Sequence, residues 1–213
     1  MPETPLRIIG KDAAAFLQKL FTRNVKKLKV GRAVYALACN HQGGVLMDGV
    51  LMCPNNQEFI YVQGNGDYLN WADANLGALD ASISDFNSWV LQVQGPTALD
   101  LMMAVTGIDQ KALFYAVTEA KINGLTCYIS RSGWTGERGF EIYSKDDDFD
   151  GVALWQYLLR DHRAQAITLF GLKHCEFIGQ EPFVLRTSHY ARQDSALKFD
   201  DLHPEASRVA CLH

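Results

Sequence analysis

The chain has 213 residues, of which 48% are hydrophobic and 21% are charged, and this balance excludes a wholly disordered protein. Its 20 Lys and Arg against 24 Asp and Glu give a net charge of −4, so composition predicts neither a nucleic-acid-binding nor a membrane-surface protein. No apolar stretch approaches the roughly 20 residues of a membrane helix. The start MPETPLRIIGKD lacks a signal-peptide core, so we expect a cytoplasmic protein.

The five cysteines are widely spaced and their number is odd. They form no Cys-x-x-Cys pair, and the six histidines are scattered without an HExxH motif. We therefore expect neither a disulfide framework nor a metal site.

Hydrophobic periodicity predicts the elements of the first half of the chain. Phe16, Leu17 and Leu20 share one face of a helix that Asp12 is expected to cap. A glycine-rich turn after Cys39 indicates a hairpin. The predicted elements are a helix over 12–20, strands over 34–39, 45–52 and 59–63, and a helix over 68–76.

The pattern at the start of the chain recurs in its second half. Residues 8–17 and 93–102 both read as strand, glycine turn and apolar helix. Asn123-Gly124 predicts a type I′ turn between two strands. The other predicted elements are strands over 120–122, 127–129 and 140–143 and a helix over 152–159. The half-repeat predicts an α+β protein with two related units, each an antiparallel sheet with helices on one face.

Three regions are expected along the chain. Residues 1–85 form the first α+β unit and residues 86–181 form the second. Residues 182–213 have no sustained hydrophobic period, and we expect an irregular tail there.

The first candidate site residue is Asp48, in the run GGVLMDGVLM. Strand alternation places Asp48 on the face opposite to Met47 and Gly49. A carboxylate that faces a cleft can hold an amine or assist a proton transfer. The alternative is an exposed strand residue without a function.

The second candidate segment is SRSGWTGERGFEIY, residues 130–143. Its three glycines allow the backbone to approach a ligand, and Trp134 can stack on a flat heterocycle. Glu141 can accept paired hydrogen bonds from an aminopyrimidine-like edge. The alternative is a glycine-rich hairpin with a core tryptophan and a solvated glutamate.

The third candidate is Cys175, in the run KHCEFIGQE. A cysteine beside Lys173 and His174 can be reactive because positive charge favours the thiolate. A buried helix cysteine is the alternative.

Taken together, these segments resemble the folate-binding family of the glycine cleavage T-protein (aminomethyltransferase), which also includes tetrahydrofolate-dependent demethylases. The resemblance covers roughly residues 6–172, and its runs are GKDAAAFLQKLFTRNVKKLKVGRAVYALACNHQGGVLMDGVLM, FIYVQGNGDYLNWAD, LQVQGPTALDLM and SRSGWTGERGFEIY. It implies ferredoxin-like, antiparallel-sheet units of the aminomethyltransferase folate-binding fold, around a channel that holds tetrahydrofolate. The family's first residues and its C-terminal barrel domain are expected to be absent, so the chain is expected to be truncated at both ends.

The resemblance also implies roles for individual residues. Asp48 corresponds to the family's catalytic aspartate near folate N5, and Glu141 corresponds to the glutamate that holds the pterin edge. The implied cofactor-binding positions are Tyr61, Gln63, Asn65 and Glu141, and Trp134 is expected to join them by stacking on the pterin. The implied cofactor is tetrahydrofolate and the implied substrate is a small methyl or aminomethyl donor. Whether a lipoyl carrier protein is a partner stays open.

The function implied by this resemblance is tetrahydrofolate-dependent one-carbon transfer. The glycine that follows Asp48 resembles the sequence of the demethylases more than that of the glycine-cleavage enzymes. Residues 173–181, however, resemble the K-G-C-x-x-G-Q-E signature of relatives that maintain iron–sulfur clusters, with His174 in place of glycine and one extra residue after Cys175. The alternatives are therefore a folate-binding accessory protein that uses Cys175, or an inactive truncated family member.

Overall fold

The computed structural model describes residues 3–64, 66–107, 114–133, 138–145 and 149–158, together with the backbone of 184–188. The chain divides into two compact units. The first unit is Met1–Ser88 with Tyr115–Glu119, and the second is Trp89–Phe114 with Ala120–His213. Among the described residues, no helix combines the length and apolar character needed to span a bilayer.

The first unit is built on a five-stranded antiparallel sheet. Its elements are β1 (Thr4–Ile9), α1 (Ala13–Leu20), a 3-10 turn (Val25–Lys27), β2 (Arg32–Cys39), β3 (Val45–Asn55), β4 (Glu58–Gln63), α2 (Tyr68–Ala74) and β5 (Ser82–Asp85). The strand order is β2-β3-β4-β1-β5. The predicted helices and strands of this half are confirmed, whereas β5 was not predicted.

The second unit has the same kind of sheet. Its elements are β6 (Val90–Gln94), α3 (Ala98–Thr106), β7 (Val117–Ile122), β8 (Leu125–Ser130), β9 (Gly139–Ser144), α4 (Gly151–Gln156) and β10 (Val184–Ser188). The strand order is β7-β8-β9-β6-β10. Strand β10 lies in the segment expected to be an irregular tail, and its backbone pairs antiparallel with β6.

The two strand orders match strand for strand, so the predicted internal repeat is confirmed by the topology. Gly10 and Gly95 follow β1 and β6 with φ of 129° and 122°. In each case the glycine carbonyl accepts a hydrogen bond from the first helical N–H, that of Ala13 at 3.2 Å and that of Ala98 at 3.1 Å. Positive φ at these turns favours glycine because it has no Cβ.

One face of each sheet is covered by the helices of its unit, and we call it the helix face. In the first unit, Phe16 and Leu17 of α1 are buried against this face. The helix face carries Leu6, Ile8, Leu51, Phe59 and Tyr61 in the first sheet, and Leu91, Val93, Ile129, Phe140 and Ile142 in the second. Burial of these apolar side chains is the main favourable contribution to folding of each unit.

We call the opposite face of each sheet the far face. Because side chains alternate along a strand, the neighbours of helix-face residues lie on it. It carries Tyr35, Asp48, Val50, Ile60 and Val62 in the first sheet, and Gln92, Gln94, Ser130, Glu141 and Tyr143 in the second. Both principal carboxylates predicted from the sequence therefore lie on far faces.

Two turn predictions have different outcomes. Asn123 and Gly124 have φ of 50° and 82°, so the predicted type I′ turn is confirmed. Asp12 occupies the position before α1, but its side chain makes no capping hydrogen bond. Its Oδ2 instead accepts from the backbone N–H of Asp80 at 2.9 Å, so the capping prediction was wrong. The carboxylate ties the start of α1 to the segment before β5.

Candidate functional site

Asp48 lies within β3, and its carboxylate is exposed on the far face of the first sheet. The hydroxyl of Tyr35 on β2 donates a hydrogen bond to Asp48 Oδ2 at 2.5 Å. This hydrogen bond is the main reason why the pKa of the Tyr35 hydroxyl is raised above its usual range. The phenol therefore stays protonated and holds the carboxylate in one orientation.

Gly49 allows β3 to run close to β4 beside Asp48. A Cβ at this position would overlap the carbonyl oxygen of Val62 and lie 3.1 Å from the ring of Tyr61. The position after the aspartate therefore has a packing reason to be glycine. That reason does not depend on any function of Asp48.

Tyr61 lies on the helix face of the first sheet, opposite to Asp48. Its side chain is fully buried, and its hydroxyl donates to the carbonyl of Ala36 at 3.3 Å. The ring packs edge-on against Phe21 and Tyr68, with centroid distances of 4.6 Å and 5.5 Å. Burial is the largest cause that raises the pKa of Tyr61 far above its usual range.

Gln63 points to the helix face with Tyr61, since the register pairs it with Gly49. It is 3% exposed, and its Nε2 donates weakly to Thr4 Oγ1 at 3.4 Å. Its Oε1 has no hydrogen-bond partner among the described residues. The structure therefore separates Tyr61 and Gln63 from Asp48 by the thickness of the sheet.

Three predicted site residues lie outside the described part of the chain. They are Asn65, Trp134 and Cys175. Their roles stay predictions.

Glu141 lies on the far face of the second sheet and is only 5% exposed. Its Oε1 accepts from Gln92 Nε2 at 3.1 Å. Its Oε2 accepts from Ser132 Oγ at 2.5 Å and from the Tyr143 hydroxyl at 2.9 Å. A buried carboxylate requires such donors, because it loses its hydration on folding. The three side chains fix both oxygens in one orientation.

Ser132 has two acceptors within reach. Its Oγ lies 2.7 Å from Ser130 Oγ as well as beside Glu141. A serine hydroxyl carries a single proton, so it can donate to only one of them at a time. The site therefore contains a hydroxyl that can turn away from the carboxylate without losing a partner.

Two of the three glycines in the segment 130–143 pack against Gln94. A Cβ at Gly133 or at Gly139 would overlap the Gln94 side-chain amide. Gln94 is fully buried, and its Nε2 approaches the Ser132 carbonyl at 3.4 Å. These two glycines therefore make room for a side chain of the protein itself.

Sequence reasoning missed Tyr35, Gln92, Ser132 and Tyr143. A signal for Gln92 was present, because glutamine alternates with apolar residues in the strand VLQVQ. In a buried strand such alternation indicates one polar face. No local signal joins Tyr35 to Asp48, which is thirteen residues away along the chain.

An open cleft of ≈ 520 Å³ lies in the first unit. Within it, Arg7 Nε donates to Glu58 Oε1 at 2.7 Å, and Asn55 Nδ2 donates to Glu58 Oε2 at 2.7 Å. Glu58 is thus a second buried carboxylate with both oxygens engaged, and it has no predicted role. Within the described ranges, no three His, Cys, Asp or Glu side chains come together as a metal site.

Comparisons with known proteins identify the family of this chain. The GCVT N-terminal domain matches residues 3–192. An aminomethyltransferase from Alkaliphilus oremlandii is 35% identical over 175 residues, which cover 78% of this chain and 47% of that protein. One from Caldanaerobacter subterraneus is 34% identical over 171 residues, covering 76% of this chain and 45% of that protein.

A solved structure shows the same relationship. The glycine cleavage system aminomethyltransferase T from Bartonella henselae superposes with a TM-score of 0.67 at 25% identity, over 76% of this chain and 44% of that chain. The present chain spans about half the length of the curated relatives that it matches. The repeated sheets, the matched domain and these relatives together show that the chain belongs to the GCVT N-terminal domain family.

Proposed function

We propose that this protein binds tetrahydrofolate and transfers a one-carbon group to or from it. The observation that carries the proposal is the Glu141 carboxylate, which is buried and aligned by three side-chain donors. A carboxylate held in this way can accept two N–H groups from the aminopyrimidine edge of a pterin. The names of the curated relatives support the same class of reaction.

Ser132 would make room for that ligand. When the pterin donates to Glu141 Oε2, the Ser132 proton turns to Ser130 Oγ, which lies 2.7 Å away. The Ser132 hydroxyl keeps a hydrogen-bond partner in this exchange, which limits its cost. Tyr143 and Gln92 would keep the carboxylate in place.

Asp48 would act on the folate amine that exchanges the one-carbon group. Its exposed carboxylate can stabilise positive charge that develops on that nitrogen. Tyr35 is then a positioning residue, because its hydroxyl holds Asp48 Oδ2. Asn65 and Trp134 are proposed to contribute to the folate-binding region, whereas Tyr61 and Gln63 would only support β3 and β4 from the helix face.

The donor is proposed to carry either an aminomethyl or a methyl group. The names of the relatives favour an aminomethyl donor. A lipoyl carrier protein is the partner proposed to present it, from the family resemblance alone. Glycine after Asp48 favours a small methyl donor, as in the demethylases, although packing against Val62 also explains this glycine. Turnover assays with each donor and tetrahydrofolate separate the two.

Anaerobic calorimetric titration with tetrahydrofolate tests the pterin pocket. Replacing Glu141 by Gln puts an N–H₂ group where the pterin needs an acceptor, and we expect about 10- to 100-fold weaker binding. Glu58→Gln is the matched control, because Glu58 is equally buried, and it should bind like the wild type. Absence of binding by the wild type, or equal binding by Glu141→Gln, would contradict the proposal.

Asp48→Asn tests the catalytic role separately. Turnover should fall by about 100-fold while tetrahydrofolate affinity stays near that of the wild type. Unchanged turnover with intact folate binding would remove Asp48 from the mechanism. A loss of both would make Asp48 a binding residue instead.

A further inference from the structure

A later segment of the chain returns to the edge of the first sheet. Tyr115–Glu119 is part of the first unit, although it follows α3 of the second unit along the chain. The Tyr115 carbonyl accepts a hydrogen bond from the Ala33 N–H at 2.8 Å, and the Val117 N–H donates to the Gly31 carbonyl at 2.9 Å. This antiparallel pairing continues the first sheet beyond β2 and fixes the backbone at Tyr115.

Tyr115 has a backbone conformation that favours glycine. Its φ is 59°, in the left-handed region. The other described non-glycine residues with positive φ are Asn87 and Asn123, and the short polar side chain of asparagine tolerates this region. A tyrosine there carries a conformational cost that a glycine would not. Such a cost at a single residue indicates a use for its side chain.

The Tyr115 ring shares the far face with Tyr35. Tyr115 pairs opposite Ala33, and residues opposite each other in a sheet put their side chains on the same face. Ala33 is two residues before Tyr35 on β2, so all three side chains lie on the far face. The pKa of the Tyr35 hydroxyl is raised most by its hydrogen bond to Asp48, then by burial and the Asp48 charge, and also by the Tyr115 phenol. The two phenols are therefore neighbours on that face.

The hydrogen bond from Tyr35 to Asp48 is open to solvent, because both side chains are exposed. An exposed hydrogen bond is weak, since water competes for both partners and both side chains can rotate. A ring packed beside Tyr35 removes some of that rotational freedom before the bond forms. We propose that Tyr115 is a positioning residue whose ring keeps the Tyr35 hydroxyl on Asp48, an inference that rests on the proposed function of Asp48.

Steady-state kinetics with tetrahydrofolate, and with the one-carbon donor that the wild type uses, give the first test. Tyr115→Gly removes the ring and suits the backbone conformation, so the variant should fold. We expect its kcat to fall about fivefold at an unchanged KM for tetrahydrofolate. Tyr115→Phe keeps the ring and should stay within about twofold of the wild type. Asn123→Gly is the matched control, because it makes the same exchange at a φ of 50°, and it should turn over like the wild type.

A double-mutant cycle shows whether Tyr115 acts through Tyr35. If it does, adding Tyr115→Gly to Tyr35→Phe should lower kcat no further than the stronger single change. Additive losses would overturn the inference. So would a rise in KM at unchanged kcat, which would make Tyr115 a binding residue, or a loss in Tyr115→Phe equal to that in Tyr115→Gly.

NMR of ring-labelled tyrosine during a pH titration gives a readout that needs no turnover. The Tyr35 signal is identified by its loss in Tyr35→Phe. Tyr35 should ionise at a lower pH in Tyr115→Gly than in the wild type, because the hydrogen bond to Asp48 that raises its pKa is loosened, and Tyr115→Phe should resemble the wild type. An unchanged Tyr35 titration in Tyr115→Gly would overturn the inference. If the titration shifts as expected but the wild type shows no turnover with tetrahydrofolate, the positioning contact stands and only the proposed function is wrong.

Discussion

The two units have the same topology but different far faces. Ile60 in the first unit and Glu141 in the second occupy equivalent positions. Ile60 follows Phe59, which pairs with Ile8, and Glu141 follows Phe140, which pairs with Val93. The helix faces are mainly apolar in both units. The far face, in contrast, carries an apolar side chain at Ile60 in the first unit and a hydrogen-bonded carboxylate at Glu141 in the second. The internal repeat therefore preserves the packing of the helix face, whereas the chemistry of the far face differs between the two units.

The largest expected effect is steric and concerns one tightly packed glycine in each of the two sheets. Gly49→Ala would press a methyl group on the Val62 carbonyl, which is part of the β3–β4 ladder. Gly139→Ala would press on the Gln94 side chain, which can move more easily. We expect the free energy of unfolding to fall by about 3 kcal/mol for Gly49→Ala and by about half as much for Gly139→Ala.

Urea denaturation measures both variants, with comparison of the midpoint and the slope. Equal losses would show that Gln94 is as rigid as a backbone carbonyl. A stable Gly49→Ala protein would show that β3 and β4 are not packed as closely as described.

The second-largest effect is expected from replacing one buried tyrosine by phenylalanine in each unit. Tyr143→Phe removes a hydroxyl that donates to the buried carboxylate of Glu141. Tyr61→Phe removes one that donates to the neutral Ala36 carbonyl at 3.3 Å. We expect losses in the free energy of unfolding of about 2 kcal/mol and about 0.5 kcal/mol, because hydrogen bonds to charged groups are stronger. Thermal and urea unfolding of both variants check this order, and a reversed order would contradict the network at Glu141.

A smaller effect concerns alkaline stability in the first unit. Tyr68 is 4% exposed, its hydroxyl has no hydrogen-bond partner among the described residues, and burial raises the pKa of both Tyr68 and Tyr61. Tyrosines in the unfolded chain ionise near pH 10, whereas Tyr61 and Tyr68 in the folded protein stay protonated at that pH. The unfolding free energy is therefore retained below about pH 10 and falls as pH rises above it.

Tyr68→Phe should reduce this alkaline dependence and leave neutral-pH stability unchanged or about 0.5 kcal/mol higher, because the lost hydroxyl had no hydrogen bond. Urea unfolding at several pH values between neutral and alkaline measures it. A marked loss of stability at neutral pH would mean that the hydroxyl has a partner, such as a buried water.

The smallest stability effect is expected at the exposed pair on the first far face. Tyr35→Phe should change the free energy of unfolding by less than about 0.5 kcal/mol, because both partners are exposed. It should nevertheless lower turnover with little change in tetrahydrofolate affinity, since Asp48 loses its positioning contact. A stability loss as large as that of Tyr143→Phe would contradict the contrast between the two far faces.

Local chemistry explains which parts of the fold were predictable. Helical periodicity placed α1, the glycine after β1 and β6 marked the turns, and Asn123-Gly124 marked the hairpin. Strands β5 and β10 escaped prediction, because each is short and lacks an alternating pattern. They form where the edges of β1 and β6 offer unpaired backbone groups, which is a property of the sheet.

Most helices and strands, the internal repeat, the family resemblance and the side of β3 on which Asp48 lies were predictable from the sequence, because they follow from spacing along single segments. The hydrogen-bond partners of the two carboxylates follow only from the folded structure. Gln92 lies 49 residues from Glu141, and Tyr35 meets Asp48 only through the register of β2 and β3. Register also put Tyr61 and Gln63 on the other face of the sheet. Strand pairing sets these contacts, and it depends on the packing of whole units rather than on any one segment.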